Sequence, residues 1–225
     1  VVNALVFIAT LLFVPSMPVR EKLSYGAQLG VLKKNVVWYS ILAVTLINGA
    51  LFGFFSYMSD YLKNITEVPY SIISTLLLVY GLANIVGNVI AGKQLAVHPV
   101  RSMTVVPLAL LVFYVSLFVL GAHLAAIAVI ILILGILAGY GQNTMQYMIT
   151  YAAPEAPDFA NGLFLLSANL GTTCGAAFCG MFITFLGTRY SVIGALLFLV
   201  ASLVFVALRI RALRGGQQTV TTVAG

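Results

Sequence analysis

Seven runs of apolar residues, separated by short polar connections, organise this chain: roughly 1–14, 37–59, 71–91, 103–122, 124–149, 160–185 and 190–208. The longer runs each hold about 20 apolar residues, and at a rise of ~1.5 Å per residue such a helix crosses a ~30 Å hydrocarbon core. Strands of a membrane barrel would be about half that length and would alternate in polarity. These runs do not alternate, so the pattern predicts an all-α integral membrane protein. The run 1–14 is short and opens at Val1 inside an apolar stretch. With neither a basic n-region nor a small-residue cleavage site, it reads as the end of a cut transmembrane helix rather than a signal peptide.

The polar positions inside the runs divide them further. Asn48 lies in 37–59, Asn84 and Asn88 in 71–91, and no amide in 103–122. Gln142, Asn143 and Gln146 lie in 124–149, Asn169 in 160–185 with Asn161 near its start, and no amide in 190–208. An amide facing lipid costs free energy, so amide-bearing helices should face protein or a water-filled path. The order is two interior helices and one peripheral helix, then the same again. Such a 3+3 repeat builds the halves of many secondary transporters. Small residues also recur at four-residue spacing, as Gly49 and Gly53, Ala83, Gly87 and Ala91, Gly135 and Gly139, and Gly171 and Gly175. That spacing lets two helix backbones approach closely. The same smooth faces would also let helices slide, and spacing does not separate the two readings.

Helical periodicity sorts these residues onto faces. Asn48, Phe52, Phe55 and Ser59 follow one face of the first complete run, and Tyr80, Asn84 and Asn88 one face of the next. Gln142 and Gln146 share a face, with Asn143 and Tyr147 beside it. Rings supply contact area and amides supply orientation, which suits an apolar or neutral polar organic molecule. The candidate cavity residues are therefore Asn48, Phe52, Phe55, Asn84, Gln142, Asn143, Gln146 and Asn169. The competing role for each amide is a hydrogen bond between helices, on average about 0.6 kcal/mol.

Composition and charge sharpen the picture. Hydrophobic residues make up 62% of the 225 and charged ones 7%, against about 25% charged in soluble domains. If residues 15–36 are cytoplasmic, nine of the eleven cations share that side: Arg20, Lys22, Lys33, Lys34, Lys93, Arg101, Arg209, Arg211 and Arg214. Only Lys63 and Arg189 fall on the other. The bias of Lys and Arg toward cytoplasmic loops sets the orientation and puts the C-terminus inside. Scattered in this way, the cations form no nucleic-acid surface.

No ionisable side chain other than tyrosine and cysteine stands in the middle of a run: Asp60, Lys63 and Glu67 belong to the outer connection, Glu155 and Asp158 to an inner one. Ion-coupled transporters usually hold such a group within the membrane, so a coupling residue is expected outside this segment. The last run offers no lysine for a retinal Schiff base. HExxH and GxSxG are absent, and Cys174 and Cys179 have no metal-ligand spacing with His98 or His123. No enzyme, cofactor or metal is expected. The domain reading is a truncated helix at 1–14, a cytoplasmic loop with a short surface helix at 15–36, six helices over 37–208, and a cytoplasmic tail at 209–225 that is small, polar and disordered after Arg214.

Two connections carry a resemblance. Gly92 to Arg101 reads GKQLAVHPVR, which resembles the loop motif of the major facilitator superfamily: a glycine, four residues, an acid, a base, then a glycine and further bases. Gly92 and Arg101 match, while Val97, His98 and Val100 replace the acid, the base and the later glycine. Ala153-Pro154-Glu155-Ala156-Pro157-Asp158, followed by Ala160-Asn161-Gly162, Asn169-Leu170-Gly171, Gly175 and Gly180, looks like the start of the eleventh helix in the bacterial twelve-span drug and sugar efflux permeases of the arabinose-efflux type.

The resemblance implies that residues 1–14 end helix six, that 15–36 form the central loop, and that 37–208 supply helices seven to twelve. It implies proton-coupled export of small organic molecules across a bacterial inner membrane by alternating access. The cavity would lie against an N-terminal half, with helices seven, eight, ten and eleven facing it and nine and twelve facing lipid. Gly92 and Arg101 would belong to a cytoplasmic gating loop. The alternatives are a seven-span receptor or sensor and an importer of the same fold.

Overall fold

The computed structural model describes residues 2–13 and 25–223. The helices are α1 (Val2–Phe13), α2 (Tyr25–Gly30), α3 (Asn35–Phe55), α4 (Met58–Asn64), α5 (Tyr70–Val97), α6 (Pro99–Leu120), α7 (Leu124–Ala152), α8 (Pro157–Leu186) and α9 (Ser191–Val223). Single 3-10 turns lie at Val31–Lys33 and Thr188–Tyr190. No strand occurs among the described residues. Six of the described helices, α3 and α5 to α9, are long and apolar enough to cross a membrane. The protein is thus an all-α, multi-pass membrane domain.

Several boundaries differ from those read in the sequence, each for a local reason. The run 37–59 is two helices. Ser56 turns its hydroxyl back onto the Phe52 carbonyl at 2.7 Å, a bond that competes with the helical ladder. Tyr57 then leaves helical geometry (φ −115°, ψ 9°), so Ser59 belongs to α4 and not to the Asn48 face of α3. The connection expected at 92–102 is almost wholly helical, and the chain breaks only at His98 (φ −133°, ψ 60°). Pro99 lacks an N–H and disfavours helical geometry at the residue before it. Gly92 and Arg101 therefore lie in α5 and α6, not in a loop. Pro154 and Pro157 likewise confine the next connection to residues 153–156. The last helix does not stop at 208 but runs on to Val223. The first part of the expected surface segment, 15–24, which includes Arg20 and Lys22, lies outside the described residues.

The bundle has two layers. α5, α7, α3 and α8 stand side by side in one, and α6 and α9 back it, α6 against α7 and α9 against α3. The amide-free runs, 103–122 and 190–208, are those of the two back-layer helices. Exchanging α3, α5, α6 for α7, α8, α9 maps the main α3–α8 packing onto α7–α5, the geometry of a threefold unit used twice.

The small-residue stripes make the two front-layer crossings. A Cβ at Gly171 would run into the Thr45 carbonyl, and one at Gly175 into that of Gly49, so α3 and α8 touch backbone to backbone. A Cβ at Gly139 would meet the Asn84 carbonyl and one at Gly87 that of Ile136, which brings α5 equally close to α7. Lipid tails are as apolar as Leu, so this contact, not hydrophobic burial, holds such helices together.

At the Lys63 end, Phe54 meets Tyr61 and Tyr114 edge-on with centroids 5.5 and 5.4 Å apart. The two hydroxyls donate to the Leu117 and Ala50 carbonyls at 2.8 and 3.2 Å, which ties α4 and α3 to α6.

Candidate functional site

Five amides of the front layer, together with Thr172 of α8, are joined into a strap across its four helices. On α3, Asn48 is buried and its Nδ2 donates to the Ala168 carbonyl at 2.5 Å and to Thr172 Oγ1 at 2.8 Å, both on α8. Its Oδ1 accepts from Gln142 Nε2 on α7 at 3.2 Å. The adjacent Asn143 donates from Nδ2 to Asn88 Oδ1 on α5 at 2.5 Å and to the Gly139 carbonyl at 3.0 Å. Asn88 in turn donates to the carbonyl and side-chain oxygens of Asn84 at 2.9 and 3.0 Å. Thr172, Asn48, Gln142, Asn143, Asn88 and Asn84 thus form one neutral polar line. The step from Gln142 to Asn143 is made by their adjacency in α7.

This line exists because the glycine crossings bring the backbones close enough for short side chains to reach. Gly139 faces the Asn84 carbonyl, four residues from Asn143 and from Asn88. Gly171 and Gly175 bracket Thr172 where α8 meets α3. Packing and polar chemistry occupy the same crossings.

An aromatic group stands on the Lys63 side of the strap. Phe55 of α3 stacks on Tyr80 of α5 with centroids 5.0 Å apart, and Phe52 meets Phe55 edge-on at 6.2 Å. On the opposite side, Gln146 donates to Asn161 Oδ1 at 2.9 Å. Asn143, Gln146, Tyr147, Thr150 and Leu95 line a cavity of about 250 Å³ between α5 and α7. Here lie the polar groups and open space that a small neutral molecule would need.

The predicted positions therefore separate into groups. Asn48 and Gln142 meet, Asn84 and Asn143 meet through Asn88, and Phe52 and Phe55 gather with Tyr80. Gln146 joins Asn161 instead of the strap. Asn169 stands apart, exposed and bonded at 2.8 Å to the Leu165 carbonyl of its own helix. Gly92 is exposed with open space around it. Arg101 lines a different cavity, between α5 and α6. Thr172 escaped the sequence reading because a hydroxyl in an apolar run satisfies itself on the preceding turn, as this one also does with Ala168 at 3.0 Å.

The largest departure from the sequence reading is Arg209, expected as a topology-setting cation of the tail. It is fully buried, the one charged side chain so placed among the described residues. Nε donates to Ser40 Oγ at 2.8 Å, Nη1 to Met103 Sδ at 2.8 Å and Nη2 to the Met148 carbonyl at 3.1 Å. From α9 it binds α3, α6 and α7 together behind the strap. Among the described residues the one ion pair is Lys34 Nζ to Glu155 Oε1 at 2.6 Å, on the surface. The hydrogen bond from Lys34, and then one from its own backbone N–H, hold the Glu155 carboxyl below the usual carboxylate range.

Residues 41–222, which cover all or most of each helix of both layers, match the family model of the Major Facilitator Superfamily. The chain belongs to this superfamily. Among relatives, it is 28% identical to a Pseudomonas aeruginosa protein named "Transcription regulatory protein OpdE" over 64% of this chain and 37% of that one. It is 27% identical to a Bacillus subtilis protein named "Uncharacterized MFS-type transporter YtbD" over 80% and 47%. It is 25% identical to a Helicobacter pylori protein named "Probable sugar efflux transporter" over 78% and 45%. The chain thus spans less than half the length of these curated relatives. As a superfamily member it presents a front layer whose polar line crosses all four helices, backed by two helices whose runs 103–122 and 190–208 hold no amide.

Proposed function

We propose that this chain is the C-terminal half of a secondary transporter that exports small organic molecules, drugs or sugars, by alternating access in exchange for protons. The observation that carries this reading is the uncharged strap from Thr172 to Asn84. It crosses all four front-layer helices and borders a cavity that Asn143 and Gln146 help to line. Neutral donors and acceptors next to aromatic rings orient an uncharged molecule without holding it too tightly to leave. The names of the Helicobacter and Bacillus relatives agree with export and transport.

In this reading the front layer faces an N-terminal half of the same protein, α1 belongs to helix six, and residues 15–36 are the central loop. Asn48, Phe52, Phe55, Asn84, Gln142, Asn143 and Gln146 line the substrate path, and Asn169 faces the other half. Gly92 and Arg101 flank the cytoplasmic turn at His98. The end bearing Lys33, Lys34, Lys93 and Arg101 is cytoplasmic, as the charge bias requires, in a bacterial inner membrane. The proton-binding group lies outside these six helices.

The test is an efflux panel of drugs and sugars with the full-length protein in cells lacking their own pumps, with and without a proton gradient. The reading requires gradient-dependent export of at least one compound. It also requires that Gln142→Ala or Asn143→Ala change the substrate range. Gradient-driven accumulation inside the cell would make the protein an importer, and no movement of any compound would overturn transport.

A further inference from the structure

A second cavity, of about 300 Å³, opens where α5 and α6 meet at the Lys34 end of the bundle. His98, Arg101, Ser102 and Val105 present one face of the start of α6 to it, at spacings of three, one and three. Ile90 and Gln94, one turn apart on α5, form the facing wall. Tyr140 of α7 closes the back and donates its hydroxyl to Ser102 Oγ at 2.6 Å.

The polar side chains at the mouth have no partners among the described residues. Those of Gln94, His98 and Arg101 make no hydrogen bond, ion pair or ring contact with any described residue. No carboxylate lines the cavity, and Lys93 adjoins Gln94. This contrasts with Arg189 at the opposite end, whose guanidinium donates twice to the Phe118 carbonyl and lies over the Phe118 ring. The α6 N-terminus, with Pro99 in its first turn and no side-chain cap, adds its partial positive charge at the same place.

The walls on the membrane side are apolar. Ile90 and Val105 are exposed, and Val86 and Val89 extend the α5 surface toward the middle of the membrane. A positively charged, donor-rich pocket thus sits at the polar end of an apolar groove. That gradient matches a molecule with an anionic head and a hydrocarbon tail, and basic pockets between membrane helices are known to take such heads.

We propose that this cavity binds the phosphodiester headgroup of an anionic phospholipid. The Arg101 guanidinium, whose planar fork fits two phosphate oxygens, holds the phosphate. His98 and Gln94 donate to the remaining oxygens, and an acyl chain lies over Ile90 and Val105. The site is separate from the amide strap and does not depend on which molecule the protein transports.

The test uses the full-length protein, purified in detergent and stripped of lipid, with thermal unfolding followed as lipid is added back. Phosphatidylglycerol should raise the midpoint by several degrees, and phosphatidylcholine or inorganic phosphate by less than half as much. His98→Gln combined with Arg101→Gln should abolish most of that shift while leaving the lipid-free midpoint unchanged, and Lys63→Gln should leave the shift intact. Arg101→Lys, which keeps the charge, should retain part of it and serves as the readout if the double variant does not fold. Native mass spectrometry should show the corresponding loss of a bound phosphatidylglycerol.

Equal shifts from phosphatidylcholine would mean that only acyl chains matter, and an equal shift from phosphate would mean a soluble anion. An undiminished phosphatidylglycerol shift in both Arg101 variants would place the lipid elsewhere. Any of these results overturns the proposal.

Discussion

Gln142 of α7 donates to Asn48 of α3 at 3.2 Å, and through this bond the two halves of the repeat share one polar line. Asn48 already donates twice to α8, so its buried amide has three partners on two helices. Asn48→Leu keeps the approximate size and removes all three bonds. At about 0.6 kcal/mol per interhelical bond, the expected loss of stability is roughly 1–2 kcal/mol, seen as a lower thermal midpoint of the full-length protein. If the strap also contacts substrate, transport falls further than stability does, and Gln142→Ala shifts the substrate range while the midpoint barely changes. Proportional losses in every amide variant would leave the strap a packing device.

The glycine crossings predict opposite outcomes for the same substitution at different sites. Gly139→Ala and Gly175→Ala drive a methyl into the carbonyls of Asn84 and Gly49. Separating the helices should cost about 1–3 kcal/mol and break Asn143 from Asn88. Gly162→Ala, with nothing within 4 Å of the new methyl, should be neutral or stabilising by about 0.5–1 kcal/mol, because glycine is the poorer helix former. Thermal unfolding of the three variants in one detergent checks the contrast.

Arg209 predicts a dependence on geometry as well as charge. Arg209→Leu removes the guanidinium's bonds to Ser40 Oγ and the Met148 carbonyl, each worth about 1.5–3 kcal/mol as a hydrogen bond from a charged group. Arg209→Lys keeps the charge but cannot reach Ser40, Met103 and Met148 together from one ammonium. We expect lower midpoints for both variants, with lysine the milder. An unchanged midpoint for leucine would show that the three bonds contribute nothing net.

The Lys34–Glu155 pair predicts a small acid sensitivity with a definite sign. The folded-state pKa of Glu155 is lowered, so its contribution is present above the unfolded carboxylate value of about 4.3. It is lost as pH falls through the lowered folded value. Both side chains are substantially exposed, so Lys34→Gln should change stability by less than ~1 kcal/mol at neutral pH. The difference from wild type should shrink in high salt and vanish at acidic pH. A large effect that ignores salt would contradict a surface pair.

The spans, their helical character and the division into amide-bearing and amide-free helices were legible in the chain itself. Length and hydropathy are local quantities, and a membrane permits few alternatives to a helix. The glycine spacing was equally visible, as the means for helices to approach. Which stripe meets which was not, because Gly49 pairs with Gly175, and Gly139 with Asn84, across more than fifty residues of chain. Local breaks were partly hidden as well: Pro99 marks the turn at His98, yet the long helical stretch through Gly92 to Val97 looked like a loop because it is polar.

Arg209 marks the limit most clearly. In sequence it stands two residues from Arg211 at the edge of an apolar run, and nothing in that spacing distinguishes them. Only the packing of α9 against α3, α6 and α7 turns one arginine inward to three acceptors and leaves the other exposed. The sequence by itself determined a six-helix membrane unit and which of its helices carry polar groups, because those properties follow from each segment's own composition. Tertiary structure alone decided that Asn48, Gln142, Asn143, Asn88 and Asn84 join Thr172 in a single line and that a charge is buried behind it, because a hydrogen bond depends on where two distant segments come to lie.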